Sequence, residues 1–216
     1  MNDQNDPLNL PDGFSRNFSN LLLWRRDVRH FRPDPVDTAL IERLVAQTNF
    51  SPSVGNSQPW RFVCVNDPDR RGRMIENFQI CTADAAKGYQ GVKAQLYASL
   101  KLEGLKEAPV HLAVFCDSQT VQGAGLGSQT MPQMLEYSVA MAVHTLWLSA
   151  RIEGLGVGWV SILDPDQVCQ DLDISTDWKL IAYLCIGWPA EHSDTPELQQ
   201  RGWQSRRSDN SQVIER

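Results

Sequence analysis

Apolar positions along the chain switch between helical and strand-like spacing, which predicts a mixed fold. Apolar residues three or four apart predict helices over 14–24, 35–45, 67–78 and 165–172. The second of these helices has Asp34 as its predicted N-cap and Pro35 in its first turn. Compact apolar runs predict strands over 61–65, 110–116, 158–163 and 179–186. The run over 110–116 is apolar at almost every position, as in a strand buried on both faces.

The longest predicted helix covers residues 133–153 and ends before Gly154. Its apolar residues cover more than one stripe: Leu135, Val139, Met141, Ala142, Val143, Leu146 and Trp147. Such a helix belongs in the centre of a core or in an oligomer interface. His144 lies in this apolar surrounding and is expected to be a hydrogen-bonded core histidine.

These elements predict an α+β or α/β fold with three layers and four or five strands. A length of 216 residues suits one domain, which we place at residues 14–190. Residues 1–13 are polar and are expected to form a mobile arm. Residues 191–216 form a polar extension that either wraps a partner subunit or is loose, and with the central helix it predicts a homodimer.

Composition excludes several classes of protein. Twenty Lys and Arg against 26 Asp and Glu give a net charge of −6, which disfavours a nucleic-acid binder. No apolar run is long enough for a membrane span, and the N-terminus does not resemble a signal peptide, so a cytoplasmic protein is expected. The five cysteines lack a CxxC pair and are expected to be reduced and mostly buried. Four scattered histidines do not suggest a metal site.

Three arginines, Arg25, Arg26 and Arg29, stand within five positions at the end of the first helix. Guanidinium groups bind phosphate through paired hydrogen bonds, so this cluster favours a phosphomonoester ligand. A solvated basic face is the alternative. Arg206, in the polar tail, is a candidate for a further phosphate contact, although such tails also carry idle arginines.

The loop before the first strand is rich in neutral polar side chains. Their donors and acceptors suit the edge of a uracil-like ring, and the glycine allows close approach of a ligand. A plain turn is the alternative. The candidate binding residues in this loop are Ser53, Gly55, Asn56, Ser57 and Gln58.

A glycine-rich segment, GLGVGWVS over 154–161, follows a helix instead of opening one. It therefore lacks the context of a dinucleotide-binding turn. Its glycines favour a tight return from helix to strand. Ser161 is expected at the start of a strand, as a ligand hydroxyl or as a satisfied polar group.

Taken in order, RRDVRHF, SPSVGNSQPWRFV, the long central helix and GLGVGWVSI resemble the nitroreductase superfamily over residues 14–190. The resemblance implies an α+β fold with a central, mostly antiparallel sheet flanked by helices, and a homodimer that binds FMN at its interface. It implies that the arginine cluster holds the phosphate and that the 53–58 loop runs along the isoalloxazine. It also places four residues of the glycine-rich segment near the flavin: Gly158, Trp159, Val160 and Ser161.

Asp27 restricts the resemblance to one branch of the superfamily, because ordinary nitroreductases usually carry Ser after the two arginines. Together with the run over 100–109, it resembles the flavin-destructase branch. In that branch reduced FMN is the substrate, and O2 drives its fragmentation to 5,6-dimethylbenzimidazole and erythrose 4-phosphate. The resemblance implies catalytic roles for Asp27 and Ser161, with Ser161 near flavin N5 or the oxygen adduct. It implies no metal, and a separate flavin reductase as the source of FMNH2.

Several alternatives remain open from the residues alone. Asp27 can simply pair with Arg26 or Arg29; the arginines would lower its pKa, whereas burial would raise it. Residues 83–105, with breaks near Gly88 and Gly91, can form a lid over the flavin or an ordinary pair of surface helices. The alternative functions are an NAD(P)H-dependent nitro- or quinone reductase and a non-catalytic flavin carrier or sensor.

Overall fold

The computed structural model describes residues 10–207 and 209–216. Residues 1–9 of the predicted arm therefore lie outside the described residues. The helices of the described chain are α1 (Phe14–Trp24), α2 (Thr38–Gln47), α3 (Pro68–Ala86), α4 (Gly91–Ser99), α5 (Met134–Ile152), α6 (Pro165–Asp171) and α7 (Glu197–Gln200). The strands are β1 (Trp60–Cys64), β2 (Val110–Asp117), β3 (Gly156–Val160) and β4 (Trp178–Gly187), and short 3-10 turns occupy 48–50 and 54–56.

The four strands form one antiparallel sheet in the order β1-β2-β4-β3. β2 and β4 lie in the centre, and the interior of β2 is buried throughout, as the apolar run predicts. Successive side chains of β2 point to opposite faces. Leu112 and Val114 join a core with α2 and α5, whereas Ala113 and Phe115 join a second core with α3 and α6. The predicted α+β, three-layer fold with an antiparallel sheet is confirmed.

Three elements differ from the prediction by more than one residue at a boundary. The N-cap of α2 is Asp37 and not Asp34, because its carboxylate accepts a hydrogen bond from the Ala39 amide at 2.9 Å. α3 continues to Ala86 instead of ending at residue 78. β3 covers 156–160 instead of 158–163, because Gly156 and Gly158, poor strand formers locally, pack against a distant segment. Ser161 therefore follows a strand and does not begin one.

Two helices leave an apolar face uncovered by the described chain. None of the residues of α1 is buried, and Phe14 and Phe18 are about half exposed. The outward face of α5 exposes Tyr137 and Ile152. His144 is also exposed on α5, so the expectation of a core histidine was wrong, because apolar spacing does not show which face of a helix the same chain covers.

Cys116 and Cys185 are buried, Cys81 and Cys169 are partly exposed, and Cys64, at the end of the edge strand β1, is exposed, so the expectation of mostly buried cysteines holds for only two of the five. Within residues 10–207 and 209–216, no helix has the length and apolar character needed to cross a bilayer.

Candidate functional site

The outer edge of β3 is where the glycine-rich segment meets the arginine segment. Gly154 has a φ of 81° and ends α5, with the Leu155 amide donating to the Ala150 carbonyl at 2.9 Å. A Cβ on Gly158 would collide with the Val28 carbonyl oxygen. The missing side chain lets the Val28 amide donate to the Val157 carbonyl at 3.0 Å. The predicted tight return from helix to strand is thus present, and its glycines also bring residues 27–28 against the strand.

Asp27 is held at this edge by two donors. Its Oδ1 accepts the Trp159 amide at 2.9 Å, and its Oδ2 accepts Arg29 Nε at 2.9 Å. The carboxylate therefore satisfies an edge amide that a further strand would otherwise engage. Of the two pairings considered from the sequence, the one with Arg29 is made.

Burial raises the pKa of Asp27, and this effect outweighs Arg29, the Trp159 amide and Arg25, all of which act to lower it. From the sequence, the arginines were expected to lower the pKa of Asp27 and burial to raise it; in the structure the effect of burial is the larger. A carboxyl group with a raised pKa takes up and releases a proton more readily near neutral pH than an ordinary aspartate.

Arg29 is engaged on both sides of its guanidinium. Besides Asp27, it donates from Nη1 to the Lys101 carbonyl at 3.0 Å, and only 12% of its side chain is exposed. In this structure it joins the Asp27 carboxylate to the segment that leads from α4 to β2. A phosphate contact by Arg29 stays a prediction.

Arg25, Arg26 and Arg206 form a separate cationic cluster. Arg25 Cζ lies 4.8 Å from the centroid of the Trp147 ring, and Arg26 donates to the Asp194 carbonyl from Nε at 3.0 Å. Burial lowers the pKa of both arginines, and the charge of Arg206 lowers it further. Among the described residues none of the three forms an ion pair.

Like charges gathered without a carboxylate partner gain stability from a bound anion. The three guanidiniums are also the donors that suit a phosphate dianion. The residues of this cluster therefore fit the phosphate of a mononucleotide.

The 53–58 loop has a fixed shape. The Gln58 amide donates to Ser53 Oγ at 3.1 Å, and Gln122 Nε2 donates to the Asn56 carbonyl at 2.9 Å. Asn56 and Gln58 both have a positive φ, 54° and 43°, in addition to Gly55 at 58°. Left-handed conformations at non-glycine residues cost free energy and are common at binding sites. In the part of the chain that the structure describes, the buried Ser57 Oγ has no hydrogen-bond partner.

This loop and the arginine cluster lie far apart in one chain. The Val54 amide is anchored to Ser138 near the start of α5, whereas Arg25 stacks on Trp147 near its end. Those two helix positions are about 14 Å apart along the axis. The loop also precedes β1, at the opposite edge of the sheet from β3.

The structure therefore unites part of the predicted site. It brings Arg25, Arg26 and Arg206 into one cluster beside the edge of β3. Asp27 and Arg29 pair at the same edge, against Gly158 and Trp159; Val160 is buried, and Ser161 is exposed beyond the end of the strand. Residues 53–58 do not join them within the chain.

Two contacts at the site carry no signal in the sequence. Trp147 supports Arg25 with its ring and donates from Nε1 to the Arg26 carbonyl at 3.2 Å. The Asp194 carbonyl holds Arg26 from a residue far away in the chain. A tryptophan in an apolar helix and a backbone oxygen in a polar tail could not be singled out from residue type alone.

A model described as the nitroreductase family matches residues 22–188. The chain belongs to the nitroreductase family. Its fold is shared by an iodotyrosine deiodinase bound to FMN and 3-iodo-L-tyrosine, with a TM-score of 0.68 and 24% identity over 92% of this chain and 97% of that one. A nitroreductase-like protein of Streptococcus mutans has a TM-score of 0.69 and 18% identity over 94% of this chain and all of the other, at 100%.

Two curated relatives within this nitroreductase family are more similar in sequence. A 5,6-dimethylbenzimidazole synthase of Rhodospirillum rubrum is 60% identical over 87% of this chain and 89% of the relative. A protein of the same name from Rhodobacter capsulatus is 50% identical over 85% of this chain and 89% of the relative.

Proposed function

We propose that this nitroreductase-family protein is a 5,6-dimethylbenzimidazole synthase, which uses O2 to fragment reduced FMN into 5,6-dimethylbenzimidazole and erythrose 4-phosphate. The 60% identity to a synthase over most of the chain supports this reaction over a nitro- or quinone reductase. The structural observation that carries the proposal is the carboxyl group of Asp27, held by Arg29 and the Trp159 amide with its pKa raised by burial, beside a cluster of guanidiniums that form no ion pair among the described residues.

The cationic cluster of Arg25, Arg26 and Arg206 would hold the phosphate of reduced FMN. Each guanidinium is planar and positively charged, and the bound dianion would offset their mutual repulsion. When bound, reduced FMN supplies the electrons for O2 and the ring atoms of the product. A separate flavin reductase has to supply it, because the proposed reaction consumes a reduced flavin at each turnover.

The cavity beside Asp27 is by itself too small for the whole ligand. The cavity lined by Asp27 and Arg29 has a volume of about 100 Å³, whereas sites for organic ligands usually have about 300–1,000 Å³. The remaining walls would come from a second copy. The exposed apolar faces of α1 and α5, with Phe18 and Tyr137, supply the surface for such a homodimer.

A twofold contact along α5 also explains the distance between the two halves of the site. In an isologous dimer whose α5 helices run antiparallel, the Ser138 end of one helix lies beside the Trp147 end of its partner. The 53–58 loop of one protomer would then reach the arginine cluster of the other. Its amide side chains, Asn56 and Gln58, and the unpartnered Ser57 hydroxyl would face the polar edge of the ring.

Asp27 and Ser161 would be the catalytic residues that this chain contributes. Asp27 would hold and release a proton, because burial raises its pKa while Arg29 and the Trp159 amide fix its orientation. Ser161 extends beyond β3 at the same edge and would offer its hydroxyl to the reacting end of the ring. Residues 83–105 would form a lid that excludes water.

The test is an aerobic incubation of purified protein with photoreduced FMN, followed by chromatography. We expect 5,6-dimethylbenzimidazole in proportion to the protein added. Intact FMN with hydrogen peroxide and no benzimidazole would contradict the proposal. Rapid NADPH oxidation with a nitroaromatic acceptor would favour a reductase instead, and tight FMN binding without turnover in either assay would indicate a carrier.

A further inference from the structure

The tail after β4 contains a small rigid cap, residues 197–206. It starts with α7 and turns at Gly202, whose φ of 74° is left-handed. The Trp203 amide donates to the Leu198 carbonyl at 2.8 Å, and the Gly202 amide donates to the Gln199 carbonyl at 3.0 Å. These two bonds form a Schellman motif. They fix the direction in which the Trp203 side chain leaves the backbone.

Trp203 packs on the residues of the proposed lid. Its ring lies edge-on to Tyr89, with centroids 5.3 Å apart, and 6.1 Å from Tyr97. Tyr89 and Tyr97 stack on each other at 4.7 Å. Lys93 Nζ lies 3.9 Å from the centroid of the Trp203 ring and donates to the Trp203 carbonyl at 2.9 Å. One tail residue thus contacts α4 and the turn before it through two rings and a cation.

The cap is also tied to the arginine segment. Glu197 Oε1 lies 3.4 Å from His30 Nε2, and the preceding Asp194 carbonyl holds Arg26. The Arg206 amide donates to Gln199 Oε1 at 3.2 Å, which fixes Arg206 on the cap, close enough to Arg25 and Arg26 to lower the pKa of both. The cap therefore connects the proposed phosphate site with the proposed lid.

The helix of the lid has little packing of its own. Within α4, all of which is described, Tyr97 alone is buried. A cavity of about 400 Å³ separates it from α3, with Phe78 and Ala83 on one wall and Ala98 and Leu102 on the other. A helix with an unfilled inner face depends on outside contacts to stay in place.

We propose that Trp203 is a positioning residue that clasps α4 closed over reduced FMN, through its contacts with Tyr89, Lys93 and Tyr97. The role rests on the proposed function, because it matters only where a flavin has to be shielded. Binding of the phosphate at Arg206 would stabilise the cap, and the cap would hold the lid.

The consequence is a choice between two outcomes for each reduced flavin. Behind a closed lid, the ring is fragmented. With an open lid, the ring transfers two electrons and two protons to O2, and FMNH2 + O2 gives FMN + H2O2. The clasp would therefore change the partition between product and peroxide, and not the capacity to consume FMNH2.

The experiment compares four full-length proteins: wild type, Trp203→Ala, Trp203→Phe and Arg207→Ala. Phe keeps an aromatic ring at the clasp. Arg207 is the matched control, since it neighbours the cap but pairs with Asp209 in the exposed tail. Benzimidazole and peroxide are measured per FMNH2 consumed, and amide hydrogen exchange is measured over 91–99.

For Trp203→Ala we expect a ratio of benzimidazole to peroxide about tenfold lower and faster exchange in α4, because several aromatic and cation–π contacts are lost together. Trp203→Phe should lie between this variant and the wild type, and Arg207→Ala should match the wild type. An unchanged partition in Trp203→Ala overturns the clasp, whether or not α4 exchanges faster.

Failure of the proposed function has a different signature, namely no benzimidazole from the wild type. The clasp over reduced FMN then falls with the proposed function, and the exchange measurement tests only whether Trp203 holds α4 in place. Faster exchange of α4 in Trp203→Ala, with wild-type exchange in β2, would support that positioning role. Equal exchange of α4 in the two proteins would overturn it.

Discussion

Two pairs of titratable side chains differ in their exposure: one lies in the core and the other at the edge of the sheet. His111 and Tyr183 lie on the central strands β2 and β4, both at 0% exposure, with His111 Nδ1 and Tyr183 Oη 3.0 Å apart. Asp27 and Arg29 lie outside the edge strand β3, with Nε and Oδ2 2.9 Å apart and 32% of the Asp27 side chain exposed. The first pair is enclosed by its own chain; the second faces the surface that the proposed partner and ligand would cover.

Burial favours the neutral form in both pairs, but with different consequences. It lowers the pKa of His111 to about 4 and raises that of Tyr183, so both stay neutral at physiological pH and serve the fold. It raises the pKa of Asp27 against the influence of Arg29, which makes the charged form less stable than in water. Because the charged carboxylate of Asp27 is destabilised and lies at the exposed edge of β3, it is available for proton transfer.

The largest effect that would test this contrast is expected from Asp27→Asn. Without a titratable group, benzimidazole formation should fall about 10²- to 10⁴-fold, the usual contribution of a general acid or base. Because burial makes the charged form of Asp27 less stable in the fold than in water, replacing it with a neutral side chain should leave the melting temperature the same or raise it. Chromatography of the products and thermal unfolding measure the two quantities.

Asp37→Asn is the control for Asp27→Asn, since Asp37 caps α2 away from the site and Asn also caps helices well. It should leave the product yield unchanged. Wild-type yield from Asp27→Asn would remove this residue from the mechanism and leave the pair with a structural role only.

The difference between the two pairs also explains what the sequence could and could not predict. Apolar spacing identified β2 and β4, because both faces of β2 and of the second half of β4 are buried by the same chain. It did not reveal that His144 is exposed, because the pattern records only that a face is apolar and not which molecule covers it.

Contacts between distant segments account for the remaining gaps in the site. The order of motifs pointed to Arg25, Arg26 and Asp27. The shortened β3, the link from Arg29 to Lys101 and the contact of Trp203 with Tyr89 depend on residues that meet only in the folded chain. Local propensity carries no information on such contacts.

The buried pair of His111 and Tyr183 should make the stability of the protein depend on pH in the acidic range. In the unfolded chain His111 titrates near 6.5, against about 4 in the fold. Below pH 6.5 the unfolded state therefore binds more protons, and the free energy of unfolding should fall as the pH drops, by about 3 kcal/mol at pH 4. Urea unfolding at several pH values between 7 and 4 measures this slope.

His111→Gln should flatten that slope while leaving FMN affinity at neutral pH unchanged. The comparison concerns only how the free energy of unfolding changes with pH, so a lower overall stability of the variant does not affect it. A slope as steep as that of the wild type would show that other groups dominate acid unfolding.

The arginine cluster offers a smaller effect, in binding. Arg25→Ala removes a charge-assisted contact to the proposed phosphate, so the Kd for FMN should rise about 10- to 100-fold. Arg32→Ala is the matched control, because Arg32 also lies over a tryptophan, 6.0 Å from the centroid of Trp188, but outside the cluster. Fluorescence titration measures both, and equal losses of affinity would show that net charge alone holds the ligand.

The smallest expected change concerns Ser161, which lies at the same edge as Asp27 but carries no charge. Ser161→Ala removes one hydroxyl at the end of β3, so benzimidazole formation should fall about tenfold while FMN affinity is retained. Ser118→Ala is a matched control: Ser118 is also exposed just after a strand, but its hydroxyl is already engaged by the Asp177 carbonyl at 2.7 Å. Product yield per FMNH2 measures the effect.

If the two variants were equally active, the chemistry at this edge would belong to the Asp27–Arg29 pair alone, and the Ser161 hydroxyl would be an ordinary surface group. If Ser161→Ala lost as much activity as Asp27→Asn, the hydroxyl would contribute more than one hydrogen bond usually does, and it would have to act in the acid–base chemistry as well.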